Sequence, residues 1–326
     1  MSANTASVVI LTWNSREVVN EAIDSALAQT VSPAEVLVFD NASQDGTPQA
    51  IARRFGSQVR LVCAAHNHGY CGGYNRALAI AGGEFALLLN PDARLAPSFL
   101  AEALPAFRDE RVGIIAPRLV RPGGEVIDSS GQFLARSRKT LDRGYGKRFD
   151  PRRDRAGAVL SACGAAALYR RAMIEDIADD GELFDEAFFA YHEDLEVGWR
   201  AWRAGWKAVH VPEAVAVHQR SSGDHGGATG MTFSKPPWLR AHIVKNRVLT
   251  SLRHDSLGAV LLDLPWIVMR DALIYGGLLV KSPAAYRELW RHRSAFGRSW
   301  GRRTLDAKRK GCWGAWRRET PRRGLW

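Results

Sequence analysis

The sequence predicts an α/β protein built on a mostly parallel sheet. Two observations carry this: short β-branched runs alternate with helix-spaced apolar segments through residue 92, and each run ends in polar residues. Ser7–Thr12 (SVVILT) has the continuous apolar character of a strand buried on both faces. Val18, Val19, Ala22, Ile23, Ala26 and Leu27 then recur every three or four positions, which marks one face of a helix, and Pro33 lies just beyond its end. Glu35–Asp40 (EVLVFD) is the next strand and Thr47–Phe55 the next helix, with Asp45 and Gly46 in the turn between them; Val59–Val62 is a third, shorter strand. A helix over Gly73–Ala81 leads to Phe85–Leu89 (FALLL), which stops abruptly at Asn90-Pro91-Asp92. Ligands of such sheets bind outside the carboxyl ends of the strands, so Asn14, Asp40, Asn90 and Asp92 are candidates for one shared site.

Beyond this the pattern is less regular. Residues Gly123–Ala156 are rich in Gly, Arg, Asp and Ser and read as loops or short irregular strands. Order returns with Ala158–Ile174, a Trp-rich helix at Glu193–Ala204, and strands at Ala208–Val211 and Val215–His218. No internal repeat is present. Leu257–Val280 is apolar but interrupted by Asp263, Arg270 and Asp271, which predicts an interfacial or docked helix rather than a membrane span.

Composition narrows the class. A chain of 326 residues suits one large domain with an appendage or two modest domains, and 46% hydrophobic residues are ordinary for a globular protein. Cys63, Cys71, Cys163 and Cys312 show neither zinc-site spacing nor disulfide density, and Met1–Ser7 lacks the features of a secretory signal. These features predict reduced thiols and a cytoplasmic protein. The net charge of +11 is unevenly placed: 26 Lys and Arg against 28 Asp and Glu over residues 1–239, but 19 against 6 over residues 240–326. Seven of the eleven Trp residues lie at or after Trp238. A division into residues 1–239 and a basic, Trp-rich helical region 240–326 follows, the latter suited to docking on a lipid headgroup layer.

Several stretches have the residue types that chemistry at a diphosphate requires. Asp92, delivered by a buried strand, could hold a divalent cation that neutralises a departing diphosphate, although Asn-Pro-Asp is also a common turn. Glu193 and Asp194 follow Phe188-Phe189-Ala190-Tyr191, whose rings would shield a carboxylate and raise its proton affinity, as a general base needs; acids are also common in a first helical turn. Asn67–Arg76 is a glycine-dense turn entering a helix, suited to bringing backbone and Arg76 close to phosphates. His218, at the end of an apolar strand as Asp92 is, could give an imidazole to the same cation.

In combination these stretches resemble the family 2 inverting glycosyltransferases, in their bacterial rhamnosyltransferase-like branch. The resemblance covers residues 7–222 through five motifs in order: Ser7–Asn14, Asp40-Asn41-Ala42-Ser43-Gln44-Asp45-Gly46-Thr47, Asn67–Asn75, Leu89-Asn90-Pro91-Asp92, and His192-Glu193-Asp194-Leu195-Glu196-Val197-Gly198-Trp199-Arg200. It implies the GT-A nucleotide-diphosphosugar transferase fold and a dTDP- or UDP-sugar donor, with dTDP-rhamnose favoured. It also implies that Thr12, Asn14, Asp40, Asn67, Gly69 and Asn90 surround the donor, Arg76 lies near the diphosphate, and Asp92 with His218 binds Mg²⁺ or Mn²⁺. Asp194 would be the base, with Glu193 the alternative. Asn90 stands where many relatives carry Asp, and Glu196 where Asp is commoner; in this branch the Asn form is usual.

Two rival readings are weaker. A sugar-phosphate nucleotidyltransferase needs a glycine- and lysine-rich loop where this chain has Thr12-Trp13-Asn14-Ser15-Arg16. Nucleic-acid binding through the basic tail finds no support in the near-neutral first 239 residues, so no nucleic-acid partner is expected. The basic region is instead expected at an anionic membrane surface, on the inner face of the cell membrane, where it would reach a glycan or lipid-linked acceptor. A solvated helical face remains open for Arg287–Arg323, and a protein partner for Trp290–Lys310.

Overall fold

The computed structural model describes residues 6–220 and 235–308, with side chains to residue 302. The end of the basic tail and Ser221-Ser222 lie outside the described residues. Strands β1 (Ala6–Thr12), β2 (Glu35–Asp40), β3 (Arg60–Cys63) and β4 (Phe85–Leu89) alternate with helices α1 (Val19–Leu27), α2 (Thr47–Phe55) and α3 (Gly69–Ile80). After β5 (Ala93–Leu95), α4 (Phe99–Ala103) and β6 (Val112–Val120) come three short strands: β7 (Ile127–Ser129), β8 (Gln132–Leu134) and β9 (Thr140–Asp142). The remaining elements are β10 (Gly157–Val159), β11 (Ala166–Arg170), α5 (Arg171–Ile177), α6 (Glu193–Arg203), β12 (Lys207–His218), α7 (Pro237–His254), α8 (Leu257–Lys281), α9 (Ala284–Arg291) and α10 (Ser294–Lys308).

The main sheet runs β10-β12-β6-β11-β4-β1-β2-β3, with β5 on β12 and β7 on β6. Its β3, β2, β1 and β4 are mutually parallel. Antiparallel β11 separates them from the parallel pair β6 and β12. The carboxyl ends of six strands therefore share one edge, as the alternation of the sequence predicts. Alternate residues of the buried strands feed two cores. Val8, Ile10, Val36, Val38, Leu87 and Leu89 pack with α1, α2 and α4, whereas Val9, Leu11, Leu37, Phe39, Ala86 and Leu88 pack with α3, α5 and α6.

Two local readings of the sequence are corrected. Helix α3 begins at Gly69, four residues before the expected start, so the glycines are its first turns and not a loop. Their use is close approach: a Cβ on Gly73 would lie 2.6 Å from Leu11 Cδ1, and one on Gly69, whose φ is +72°, would lie 2.5 Å from the Phe189 ring. The two expected strands at Ala208–Val211 and Val215–His218 are one strand, β12, with a register shift between Val211 and Val215. Pro212, which has no N–H to give a ladder, falls in that irregular stretch. In Gly123–Ala156 the short strands expected among loops are β7 and the β8–β9 hairpin.

The composition break at residue 240 falls inside α7. This helix packs firmly on the preceding chain through a buried ionic cluster: Glu196 on α6 meets Arg200 at 3.0 Å, Arg253 at 3.2 Å and His254 at 2.8 Å. Burial opposes ionisation of Glu196, yet Arg200, Arg253 and His254 hold its carboxyl well below the usual carboxylate range. Helices α8 and α9 close over α7 through Val244, Ile274, Leu278 and Ala285.

Because the α3 glycines serve close packing, Gly73→Ala should lower the unfolding free energy by about 1–3 kcal/mol. Urea titration followed by circular dichroism measures this; an unchanged midpoint would show that Leu11 can move aside.

Candidate active site

The ends of β1 and β2 meet through side chains. Thr12 Oγ1 donates to Asp40 Oδ1 at 2.9 Å, both groups being buried, while Asp40 Oδ2 accepts from the Ser43 amide at 2.9 Å. The following loops interlock: Asn14, with φ of 50°, donates its amide to Ser43 Oγ and accepts the Gln44 amide on Oδ1, both at 2.8 Å. Asn41 ties this edge to α3, since its Nδ2 donates to Asn67 Oδ1 and to the Gly69 carbonyl at 2.9 Å. Asn67 Oδ1 also accepts the Gly69 amide at 2.7 Å. Trp13, 54% exposed between Thr12 and Asn14, leaves a bare aromatic face at this rim.

Beside β1, the end of β4 presents Asn90 and Asp92. Asp92 is 8% exposed, and its Oδ1 lies 3.5 Å from His218 Nε2 at the end of β12. The other ring nitrogen, His218 Nδ1, lies 2.8 Å from Oδ2 of the fully buried Asp128 on β7. Burial disfavours the imidazolium, but Asp128 and Asp92 together push the His218 pKa up to about 9. The other oxygen of Asp128 is held by Arg220 Nε. A carboxylate oxygen and an imidazole nitrogen facing each other fit a divalent cation, and a carboxylate behind the second ring nitrogen is the usual way a metal-binding histidine is oriented. Among the described residues no group of three or more His, Cys, Asp or Glu surrounds this point.

The acid pair starts α6, and its two members are treated differently. Asp194 is half-buried and accepts three hydrogen bonds: Gln132 Nε2 at 2.8 Å and the Gly164 amide at 3.1 Å on Oδ2, and the Leu195 amide at 2.8 Å on Oδ1. Glu193 is 6% exposed, and among the described residues its Oε2 has no hydrogen-bond partner. Burial pushes both carboxyls above their usual range, Glu193 the further because Asp194 repels its charge while the donors on Asp194 favour ionisation. Of the two, Asp194 therefore gives up its proton the more readily.

The loop before the pair is held in an unusual shape. Phe189, Tyr191 and His192 all have φ between 63° and 71°, a region bulky residues rarely occupy. Asn246 of α7 secures it by donating Nδ2 to the carbonyls of Phe188, Ala190 and Tyr191 at 2.7–2.9 Å. Lys245 donates to the Ala187 carbonyl.

The segments converge around Gly164 and Ala165. The Asn90 amide donates to the Ala165 carbonyl at 2.9 Å, and the Gly164 amide binds Asp194. Tyr70 Oη donates to the Gly164 carbonyl at 2.9 Å and so fixes this turn to α3. Thr12, Asp40, Asn90, Asp92, Asp194 and His218 thereby occupy one edge, while Arg76 is engaged elsewhere, with Glu186 and the Gly72 carbonyl. Sequence reasoning missed Asp128, Gln132 and Asn246. The first two sit on three-residue strands without periodicity, and Asn246 is one polar residue in a basic helix.

Comparison with known proteins agrees with this architecture. Residues 7–178 match the family described as Glycosyl transferase family 2. The N-acetylglucosaminyl-diphospho-decaprenol L-rhamnosyltransferase of Mycobacterium tuberculosis is 27% identical over 301 residues, covering 84% of this chain and 92% of the relative. A mannosyltransferase from Pyrobaculum calidifontis, solved with GDP-Man and Mn²⁺, superposes with a TM-score of 0.54 at 19% identity over 94% of this chain and 86% of that one. Staphylococcus aureus TarS 1-349 with UDP-GlcNAc gives 0.58 at 17% identity, covering 93% and 90%. With the sheet order and the matched residues agreeing, the chain has the GT-A fold and belongs to glycosyl transferase family 2, and the protein is a glycosyltransferase.

Proposed function

We propose that this glycosyltransferase inverts the anomeric centre of a sugar as it passes from a nucleotide diphosphate to an acceptor hydroxyl. Rhamnose from dTDP-rhamnose is the favoured donor group, and a lipid-linked, diphosphate-bearing glycan the favoured acceptor. The observation that carries the reading is the meeting of Thr12–Asp40, Asp92–His218 and Asp194 at one sheet edge. The name of the mycobacterial relative supports the sugar and the acceptor, and the Mn²⁺ in the mannosyltransferase structure supports a divalent cation.

In this reading Thr12 and Asp40 hold the nucleoside, and Asn14, Asn67, Gly69 and Asn90 shape the walls around the donor. Asp92 and His218 hold Mg²⁺ or Mn²⁺, which when bound neutralises the negative charge growing on the leaving diphosphate. Asp128 keeps the His218 ring turned toward Asp92. Asp194 takes the proton of the acceptor hydroxyl as its oxygen attacks the anomeric carbon opposite the diphosphate, and Glu193 stays neutral behind it. The excess of basic residues after residue 239 draws the protein to the anionic inner face of the cell membrane, on the cytoplasmic side.

Nucleotide diphosphate release from a panel of nucleotide sugars, with a diphospholipid-linked N-acetylglucosamine as acceptor, tests the reading; product NMR reports the anomeric configuration. Asp194→Asn should lower kcat by about 10²–10⁴ with donor affinity nearly unchanged, because a base acts in the transition state. If Glu193→Gln is the inactive variant instead, the two roles are exchanged.

The pH profile gives a second check. Burial raises the Asp194 pKa, so turnover should climb with pH along a limb above the usual carboxylate range. Gln132→Ala removes a donor that favours the charged form and should move that limb to still higher pH. A limb that stays in place would take Gln132 out of the mechanism.

Asp128→Asn should weaken Mn²⁺ binding by about 10–100-fold in the presence of nucleotide diphosphate, read by electron paramagnetic resonance titration. Unchanged affinity would remove Asp128 from the metal's surroundings.

A further inference from the structure

Helix α8 has an outer face that neither the packing nor the chemistry uses. From Leu257 to Val280 every exposed residue is apolar or glycine, with Leu262 at 74% and Val280 at 81% exposure. The three charges that interrupt its sequence are on the covered side. Asp263 accepts from Arg136 Nε at 2.6 Å and Arg138 Nη1 at 2.7 Å, Asp271 pairs with Arg247, and Arg270 is half-buried. The helix's own charges are thus kept off a stripe along a helix roughly 37 Å long, while the Arg136 guanidinium lies against its Trp266. Proteins rarely leave an apolar surface of this extent facing water. Among the described residues no helix is long and apolar enough to cross a membrane, so α8 is not a span.

The chain that follows the stripe indicates its partner. Lys281, Arg287, Arg291, Arg293 and Arg298 are exposed on α8 to α10, together with Trp290 and Trp300. Exposed basic side chains and Trp rings on the helices that continue from an apolar helix face fit an anionic headgroup layer above an acyl boundary. A second copy of the chain would bring the same cations against each other, which disfavours self-association through this face.

We propose that the outer face of α8 lies in the plane of an anionic bilayer, with Leu257, Leu261, Leu262, Val268, Met269 and Leu273 in the acyl boundary. Arg136 and Arg138, which clasp α8, belong to the β8–β9 hairpin whose Gln132 binds Asp194. The docked face and the acceptor's base are therefore joined by one short element. This deepens the reading of a lipid-linked acceptor and rests on it for its purpose.

The test uses the full chain, flotation with phosphatidylcholine vesicles with and without phosphatidylglycerol, and amide hydrogen exchange of α8. The wild type should float with the anionic vesicles, keep part of that binding at high salt because apolar insertion is not screened, and show slowed exchange in α8. The triple variant Leu262→Glu, Val268→Glu, Leu273→Glu should lose binding by on the order of a hundredfold or more, while transfer to a water-soluble acceptor stays within about twofold. Equal flotation of the variant, or α8 exchange indifferent to vesicles, would overturn the proposal. So would α8 protection that rises with protein concentration without lipid, which would mean that a second copy covers the face. Failure of the glycosyltransfer reading would show separately, as absence of transfer in solution whatever the flotation.

Discussion

A half-buried carboxylate keeps its charge only where donors replace the water it has lost, and Asp194 draws its three donors from separate places. The Leu195 amide comes with the helix itself, the Gly164 amide from the turn before β11, and the Gln132 side chain from the β8–β9 hairpin. Each of the last two needs its own support. Tyr70 on α3 fixes the turn through the Gly164 carbonyl, and the glycines of α3 let that helix approach near enough to do so. The hairpin is too short to stand alone, and its tip is clamped where Arg138 joins Asp255 and Asp263. Much of the architecture beyond the central sheet thus converges on one side chain.

The same economy governs the loop in front of Asp194. Left-handed backbone at three bulky residues costs about 1–3 kcal/mol each and persists only where the surroundings determine it. The Asn246 amide answers three carbonyls of that loop at once, and the Glu196 cluster anchors the far end of α7. The strain sets the direction in which α6 begins, and so the direction in which Asp194 faces.

The sequence made part of this legible for a physical reason. Asp40, Asn90 and Asp92 follow continuous apolar strands, and strand ends in a parallel sheet share an edge; their meeting follows from hydrophobic pattern alone. His218 was readable in the same way. Asp128 and Gln132 were not, because strands of three residues have too few positions for a period of two to show. The glycines of α3 misled because glycine lowers helix propensity, while here packing against Leu11 and Phe189 overrides it. The order of Glu193 and Asp194 is a matter of solvation and donors, which neighbouring letters in a sequence do not encode.

The anchoring of α7 has a consequence for building hybrid enzymes. Chain composition invites a junction near residue 240, but that seam would cut through a helix that ends in Arg253 and His254 and carries Asn246 midway. A chimaera joined there would exchange Arg253 and His254, two of the three partners of Glu196, and Asn246 with its hold on the loop before Asp194, together with helices α8 to α10. Grafting a different C-terminal region while keeping this candidate site calls for a splice beyond α8, so that α7 and the Asp255 and Asp263 carboxylates that hold Arg138 stay with it.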